Sequence, residues 1–363
     1  GEITGNVVHA GDGGGVCVKS GTFNMYGGSI TKNTAREVSN RPGGNGGGVC
    51  VDDSGTFNMY GGSITKNAAR EISSGNGGTG GNGGGVYVNG GTFKMNGTSK
   101  VTGNTASNGN GGGVYVESGT FKMNDGTIGG ATAAAANTAT NNGGGVYVED
   151  GKFEMNGPET SVSGNTATTN GGGVYVEGGT FTMNDGTIGG TTDGDANKAN
   201  QDGGGVYASS GTFTMSGGRI TGNHNNGVFV SDHATFTVSG APTVMGNTRE
   251  GAVSNVFLAG SKTITIGNKL NKGASIGVTK TAYSLIAENV STDYSGKFFS
   301  DDKTREVKYD TDNKQLVLKN KETQPPEHRH EWTYTADKAT ITATCTGVGN
   351  CDCLLYTSPS PRD

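Results

Sequence analysis

Residues 171–190 read GGGVYVEGGTFTMNDGTIGG, and nearly the same line is written eight times along the chain. Such a repeat constrains a fold more than composition does. A copy too short to bury its own apolar side chains must bury them against the next copy. Anchored on the valine after each glycine run (Val16, Val49, Val86, Val114, Val146, Val174, Val206 and Val228), the copies are spaced by 33, 37, 28, 32, 28, 32 and 22 residues. Between Val86 and Val206 the 28/32 alternation recurs every 60 residues and reads as duplication of a two-coil unit.

Within each copy the apolar residues fall into columns. One runs Phe23, Phe57, Phe93, Phe121, Phe153, Phe181, Phe213 and Phe236. Two residues on come Met25, Met59, Met95, Met123, Met155, Met183, Met215 and then Val238. A third column begins Ile30, Ile64, Val101, Ile128 and ends at Val244. The V-x-V and F-x-M spacings have a period of two, the signature of short strands with alternate residues inward. Three such strands per copy, stacked on the next, describe an all-β parallel β-helix whose coils hydrogen-bond to one another. At about 4.8 Å per coil, nine or ten coils extend roughly 45 Å. Extra residues such as 131–142 and 68–82, rich in Gly, Asn, Ala and Thr, are expected to bulge at one corner.

Composition matters here for what it excludes. Glycine supplies 70 of 363 residues and only 31% are hydrophobic, which in bulk would suggest disorder, but the periodicity overrides that reading. There is no Gly-X-Y period and no apolar stretch long enough to span a bilayer. Net charge is −5 with Lys and Arg scattered, so the basic footprint of a nucleic-acid binder is missing.

Asn6, Asn33, Asn67, Asn104, Asn165, Asn223 and Asn247 each sit three residues after an inward Ile or Val, a placement suited to a stacked corner. The glycine run supplies another corner, where positive φ is needed. The units GGGV(Y/C)V, GTFxM and I(T/S)xN resemble the repeats of right-handed β-helix adhesin-like proteins on bacterial surfaces, over roughly residues 1–320. The polymorphic outer-membrane proteins of intracellular bacteria are more distant in pattern. The resemblance implies a non-catalytic protein, extracellular or on the bacterial cell surface. It implies host or environmental glycans or surface proteins as partners, a monomeric rod and no cofactor. A polysaccharide lyase or hydrolase of the pectate-lyase-like type, and a spacer without its own ligand, stand as the alternatives.

Both ends of the sequence depart from the repeat. Gly1-Glu2-Ile3-Thr4-Gly5-Asn6 aligns with residues 28–33, so the chain is expected to begin inside a coil. Coils are expected over 1–254, and the last coils with a cap over 255–320. A linker, KETQPPE, follows at 321–327, then a truncated β-rich module at 328–352. Residues 353–363, CLLYTSPSPRD, resemble a translated sequencing adapter and are expected to be foreign to the fold.

Candidate sites are few. Tyr87, Tyr115, Tyr147, Tyr175 and Tyr207 form an outward column, continued by Phe229, that could present an aromatic strip to a sugar or instead pack as a cross-strand ladder. Glu117, Glu149 and Glu177 fall on three successive coils and would either splay into solvent or share a cation. Cys17 and Cys50 replace tyrosine in adjacent coils, close enough for a disulfide. Cys345 and Cys351, near His328 and His330, could be read as a metal site, but the spacing matches no standard zinc pattern and better suits a local disulfide or a truncated module. His9, His224 and His233 lie near turns and none recurs between coils. No catalytic set and no metal site emerges from the known motifs.

Overall fold

The structure is a computed structural model that describes residues 1–37, 44–70, 81–281 and 284–321, and the backbone of two further strands, Trp332–Asp337 and Thr340–Cys345. The chain divides into two compact units, Gly1–Lys319 and Asn320–Asp363. In the second unit the two described strands pair antiparallel, Trp332 opposite Cys345 and Asp337 opposite Thr340. Cys351, residues 353–363 and the side chain of Cys345 lie outside the described residues.

The first unit is a parallel β-helix, and its coils from Val16 to Val174 hold four strands rather than the expected three, while the coil at Val206 has three and an isolated bridge at His224. The coil that opens at Val86 runs Val86–Asn89, Thr92–Met95, Lys100–Thr102 and Thr105–Ser107. Each strand pairs in parallel with its counterpart on the next coil, placing Val86 against Val114, Phe93 against Phe121, Val101 against Ile128 and Ala106 against Ala139. The fourth strand escapes a search for alternating large apolar residues because its single inward residue is alanine. Ala35, Ala69, Ala106, Ala139, Ala167 and Ala199 are all buried. The insertions are correspondingly shorter than expected. In the stretch 131–142 the loop proper ends before Asn137, and Thr138–Ala139 already belongs to the fourth strand. In 68–82, Ala68–Arg70 is likewise strand, and 71–80 lies outside the described residues.

The columns become continuous internal ladders. From Phe57 to Phe236 every phenylalanine of its column is fully buried. From Phe93 onward the rings stack face to face with centroids 4.7–5.0 Å apart. That is the strand spacing itself, so each ring covers its neighbour without any departure from the backbone register.

Between the third and fourth strands the core is polar, and it is fully satisfied. Asn104 donates from both its backbone N–H and Nδ2 to Oδ1 of Asn137, each at 3.0 Å, while its second Nδ2 hydrogen reaches the Ile64 carbonyl at 3.0 Å. The same three bonds recur from Asn33 to Asn247, so each amide uses both hydrogens and both acceptor sites. This is how fully buried asparagines avoid the penalty of an unpaired polar group. From asparagine to asparagine, every donor points toward the later coil. At that end the ladder closes on a pure acceptor, with Asn255 donating to both carboxylate oxygens of Asp301 at 2.7 and 2.6 Å. The ladder includes Asn137 and Asn197, which a rule of three residues after the inward isoleucine passes over.

The glycine triplet packs against this ladder, and its three positions need glycine for different reasons. In the coil 143–145, Gly143 has φ +68°. A Cβ on Gly144 would lie 2.5 Å from the Gly172 carbonyl oxygen of the next coil, and one on Gly145 would lie 3.0 Å from Nδ2 of Asn165. Real Cβ atoms do not approach their neighbours that closely, so GGG marks where the first strand passes tight beneath the fourth.

The final coils merge the faces. Ser275–Thr279 pairs with Thr243–Val244 through Ile276 and with Val256–Leu258 through Val278, so one strand bridges two stacks kept separate in earlier coils. An antiparallel sheet of Leu285–Ala287, Gln315–Asn320 and Arg305–Asp310 follows. It adds Ile286, Leu316 and Leu318 to the same buried core. Among the described residues no helix is long and apolar enough to cross a membrane.

Candidate functional site

The outward tyrosine column does not form the exposed strip that its sequence position allows. Tyr87, Tyr115, Tyr147 and Tyr175 are buried, and only Tyr207 is partly open. Their rings stack at 4.9–5.8 Å and continue through Phe229 to Phe257. The cover is local backbone. A Cβ on Gly143 would lie 2.8 Å from the Cβ of Tyr147, because the turn that opens each coil folds back over the ring four residues on.

The glutamates belong to the same construction. Tyr87, Tyr115 and Tyr147 each donate a phenolic hydrogen to the glutamate of the following coil, Glu117, Glu149 and Glu177 respectively. Each carboxylate is thereby tied to its own ring, and among the described residues no cluster of three or more His, Cys, Asp or Glu is placed to hold a metal ion. Burial, and then the bond to the neighbouring carboxylate, pushes the Tyr87 and Tyr115 hydroxyls well above the ordinary phenol range.

Cys17 and Cys50 are register partners on adjacent coils, as the column predicts, and both are free thiols. Side chains directly opposed on parallel strands project side by side, which suits a thiol-to-thiol hydrogen bond. That bond, donated by Cys50, holds Cys17 below the ordinary thiol range, while it and burial push Cys50 up.

A second amide ladder runs along the residue just before each glycine triplet. The backbone N–H groups of Asn45, Asn82, Asn110, Asn142, Asn170 and Asp202 each donate to the side-chain oxygen one coil earlier, at 2.8–3.1 Å. Its end members, Asp12 and Asp202, are carboxylates whose partial burial raises them above the usual range. Arg249 closes this end with a 2.7 Å ion pair to Asp202 and a guanidinium 5.7 Å from the Phe257 ring centre.

Two features do face outward. Tyr26 and Tyr60 follow the methionines of the first two complete Phe-Met strands and stack at 5.1 Å with an interplanar angle of 11°. They are 76% and 46% exposed. Two residues earlier on the same face, Asn58 donates to Asn24 at 2.9 Å, setting an amide pair beside the rings. The signal for this site was in the sequence, as tyrosine at a position held by asparagine in the next four coils (Asn96, Asn124, Asn156 and Asn184). The second feature is a cavity of about 320 Å³ between loops 130–136 and 190–196. A charge pair on the Phe-Met face, Lys122 with Glu154 at 3.1 Å, is a solvated contact of small energetic weight.

No family model matches the chain, and searches of the curated proteins and of the solved structures found no match.

Proposed function

We propose that this chain is a non-catalytic, adhesin-like binding scaffold of a bacterial surface, and that Tyr26 and Tyr60 are its glycan contact. The observation that carries the reading is the exposed pair of rings in register. Two tyrosines on adjacent coils present a flat apolar face about two strand spacings wide, and the Asn24–Asn58 pair beside it offers amide hydrogen-bonding groups. Sugars have that mixed character, with apolar ring faces and hydroxyl edges. Rigidity favours the same reading. The strand register fixes the backbone that carries both rings before a ligand arrives, which limits the conformational freedom lost on binding.

The test uses the full chain and a Tyr26→Ala/Tyr60→Ala double variant, incubated with mucins, pectins and other polysaccharides. Retention and new chain ends are scored in the same tubes. The wild type should be retained without creating new ends, and the double variant should be released with its unfolding midpoint unchanged. New chain ends would make this a polysaccharide lyase or hydrolase. Absence of retention across the panel would make it a spacer.

A further inference from the structure

The 28/32 alternation leaves a specific void. The two longer coils carry their extra residues at the same point, between the isoleucine strand and the buried asparagine, as 130–136 and 190–196. The coil between them passes that point as Ser163-Gly164-Asn165 with no insertion. The two loops meet across it, since a Cβ on Gly194 would lie 2.5 Å from the Ala131 carbonyl oxygen. The space they bridge is the 320 Å³ cavity, at the small end of the about 300–1,000 Å³ range of small-molecule sites.

Its floor is the outward side of three successive fourth strands, which presents Thr138, Thr166 and Lys198 in one row. His224 continues the row, bridging in parallel with Lys198 on the next coil. Asp193, from the upper loop, lies across two rungs of this row. Its Oδ2 is 3.3 Å from Nζ of Lys198 and its Oδ1 is 3.1 Å from Nε2 of His224. One carboxylate therefore already occupies a two-point seat, with one oxygen for each cationic or donor group. The Asp193 side chain is itself 76% exposed, so packing does not hold it there. Such open ion pairs contribute little, and an incoming carboxylate can replace this one.

We infer that the cavity binds a carboxylated sugar residue, whose carboxylate takes the seat of Asp193 on Lys198 and His224 while a ring hydroxyl bonds to Thr166. The lining favours this class over others. Alanine and glycine walls leave room for one ring and supply no aromatic face, so a neutral sugar would lack both stacking and charge. The floor places the Thr166 hydroxyl one strand spacing from Lys198, a polar partner for a ring hydroxyl of a sugar whose carboxylate is held on that lysine. The site shares no residue with the Tyr26–Tyr60 pair and does not depend on its role.

The experiment titrates the full chain with glucuronate, glucose and acetate, followed by NMR shifts or calorimetry. Glucuronate should bind, with glucose and acetate at least about tenfold weaker. Asp193→Asn should tighten glucuronate up to about fivefold, the worth of an exposed ion pair. Lys198→Gln should abolish the response in either background, and Thr166→Val should weaken glucuronate while leaving acetate unchanged. All these side chains are surface groups, so unfolding midpoints should stay put and separate loss of binding from loss of fold. Equal binding of acetate and glucuronate would reduce the site to an unselective anion contact and overturn the sugar assignment. Unchanged glucuronate binding by Lys198→Gln would overturn the site itself.

Discussion

The chain holds two rows of stacked tyrosines with nearly the same ring spacing and opposite fates. Tyr26 and Tyr60 stand in solvent at 5.1 Å, whereas Tyr87 through Tyr175 lie buried at 4.9–5.8 Å. Neither residue type nor strand register separates them. The difference is their place in the coil. The buried row comes two residues after the glycine triplet, where the turn backbone closes over it, and the exposed row sits after the methionine, where no described turn covers it. In a solenoid, outward therefore means only away from the core ladder. Exposure is decided by whether a corner folds back.

The largest expected effect contrasts the inner asparagine ladder with an exposed one. Asn137→Leu leaves the backbone N–H and one of the two Nδ2 hydrogens of Asn104 without an acceptor in a dry interior, and should cost about 3 kcal/mol or more in urea unfolding. Asn124→Ala removes a member of the exposed Asn96–Asn124–Asn156 chain and should cost less than about 0.5 kcal/mol. Equal losses would mean that burial does not distinguish the ladders.

Next in size is the contrast between the tyrosine rows. Tyr115→Phe removes the bond to Glu149 from a buried ring and should destabilise by about 1 kcal/mol, less than a fully buried charged bond because Glu149 is partly open to water. Tyr26→Phe should leave the unfolding midpoint where it is. A rank order reversed between the two would contradict the structure.

Alkaline titration sharpens the same contrast. Tyr87, Tyr115 and Tyr207 are raised above the ordinary 10.0, first by burial. A raised folded value means that their contribution to stability is complete below pH 10 and is lost as pH climbs toward the folded value. Tyrosinate absorbance from the buried row should therefore appear together with loss of circular dichroism. Full ionisation of every tyrosine ahead of unfolding would speak against the covered row.

The smallest expected effect lies at the end of the outer ladder. Asp12 is raised, so its charged form is disfavoured by the fold, and the stability it contributes when protonated is lost as pH rises through its folded value. Asp12→Asn keeps an acceptor for the Asn45 N–H and removes the charge. The variant should melt slightly higher at neutral pH, and the gap should close toward pH 3.8. A lower midpoint would show that the carboxylate is needed as such.

Much of the fold is legible in the sequence, and the failures have physical causes. The Phe, Met and Ile columns give the coil because large apolar side chains must point inward. The fourth strand is silent because alanine carries little hydrophobic signal. Asn137 and Asn197 escape the spacing rule, although the motif Asn-Thr-Ala at 137–139, shared with 104–106 and 165–167, marks the same rung. At Asn137 the Thr-Ala pair after the asparagine survives the insertion before it, whereas Asn197 is followed by Lys-Ala and keeps only the alanine of that motif. The glutamates fall on successive coils as their spacing predicts. Their partners are not legible from spacing, because the tyrosine donor comes from the coil before.

By itself the sequence determined the stacking. Period-two columns repeated at coil intervals leave in-register parallel strands as the arrangement that buries every phenylalanine, and the glycine triplets and asparagines mark the corners that make it close. Only the tertiary structure decided which outward residues meet water. Exposure depends on the path of backbone several residues away, as with the turn over Tyr147, or two coils away, as with the loops that enclose Thr138, Thr166 and Lys198. A strand's alternation fixes the face on which a side chain lies, but carries no information about what crosses in front of it.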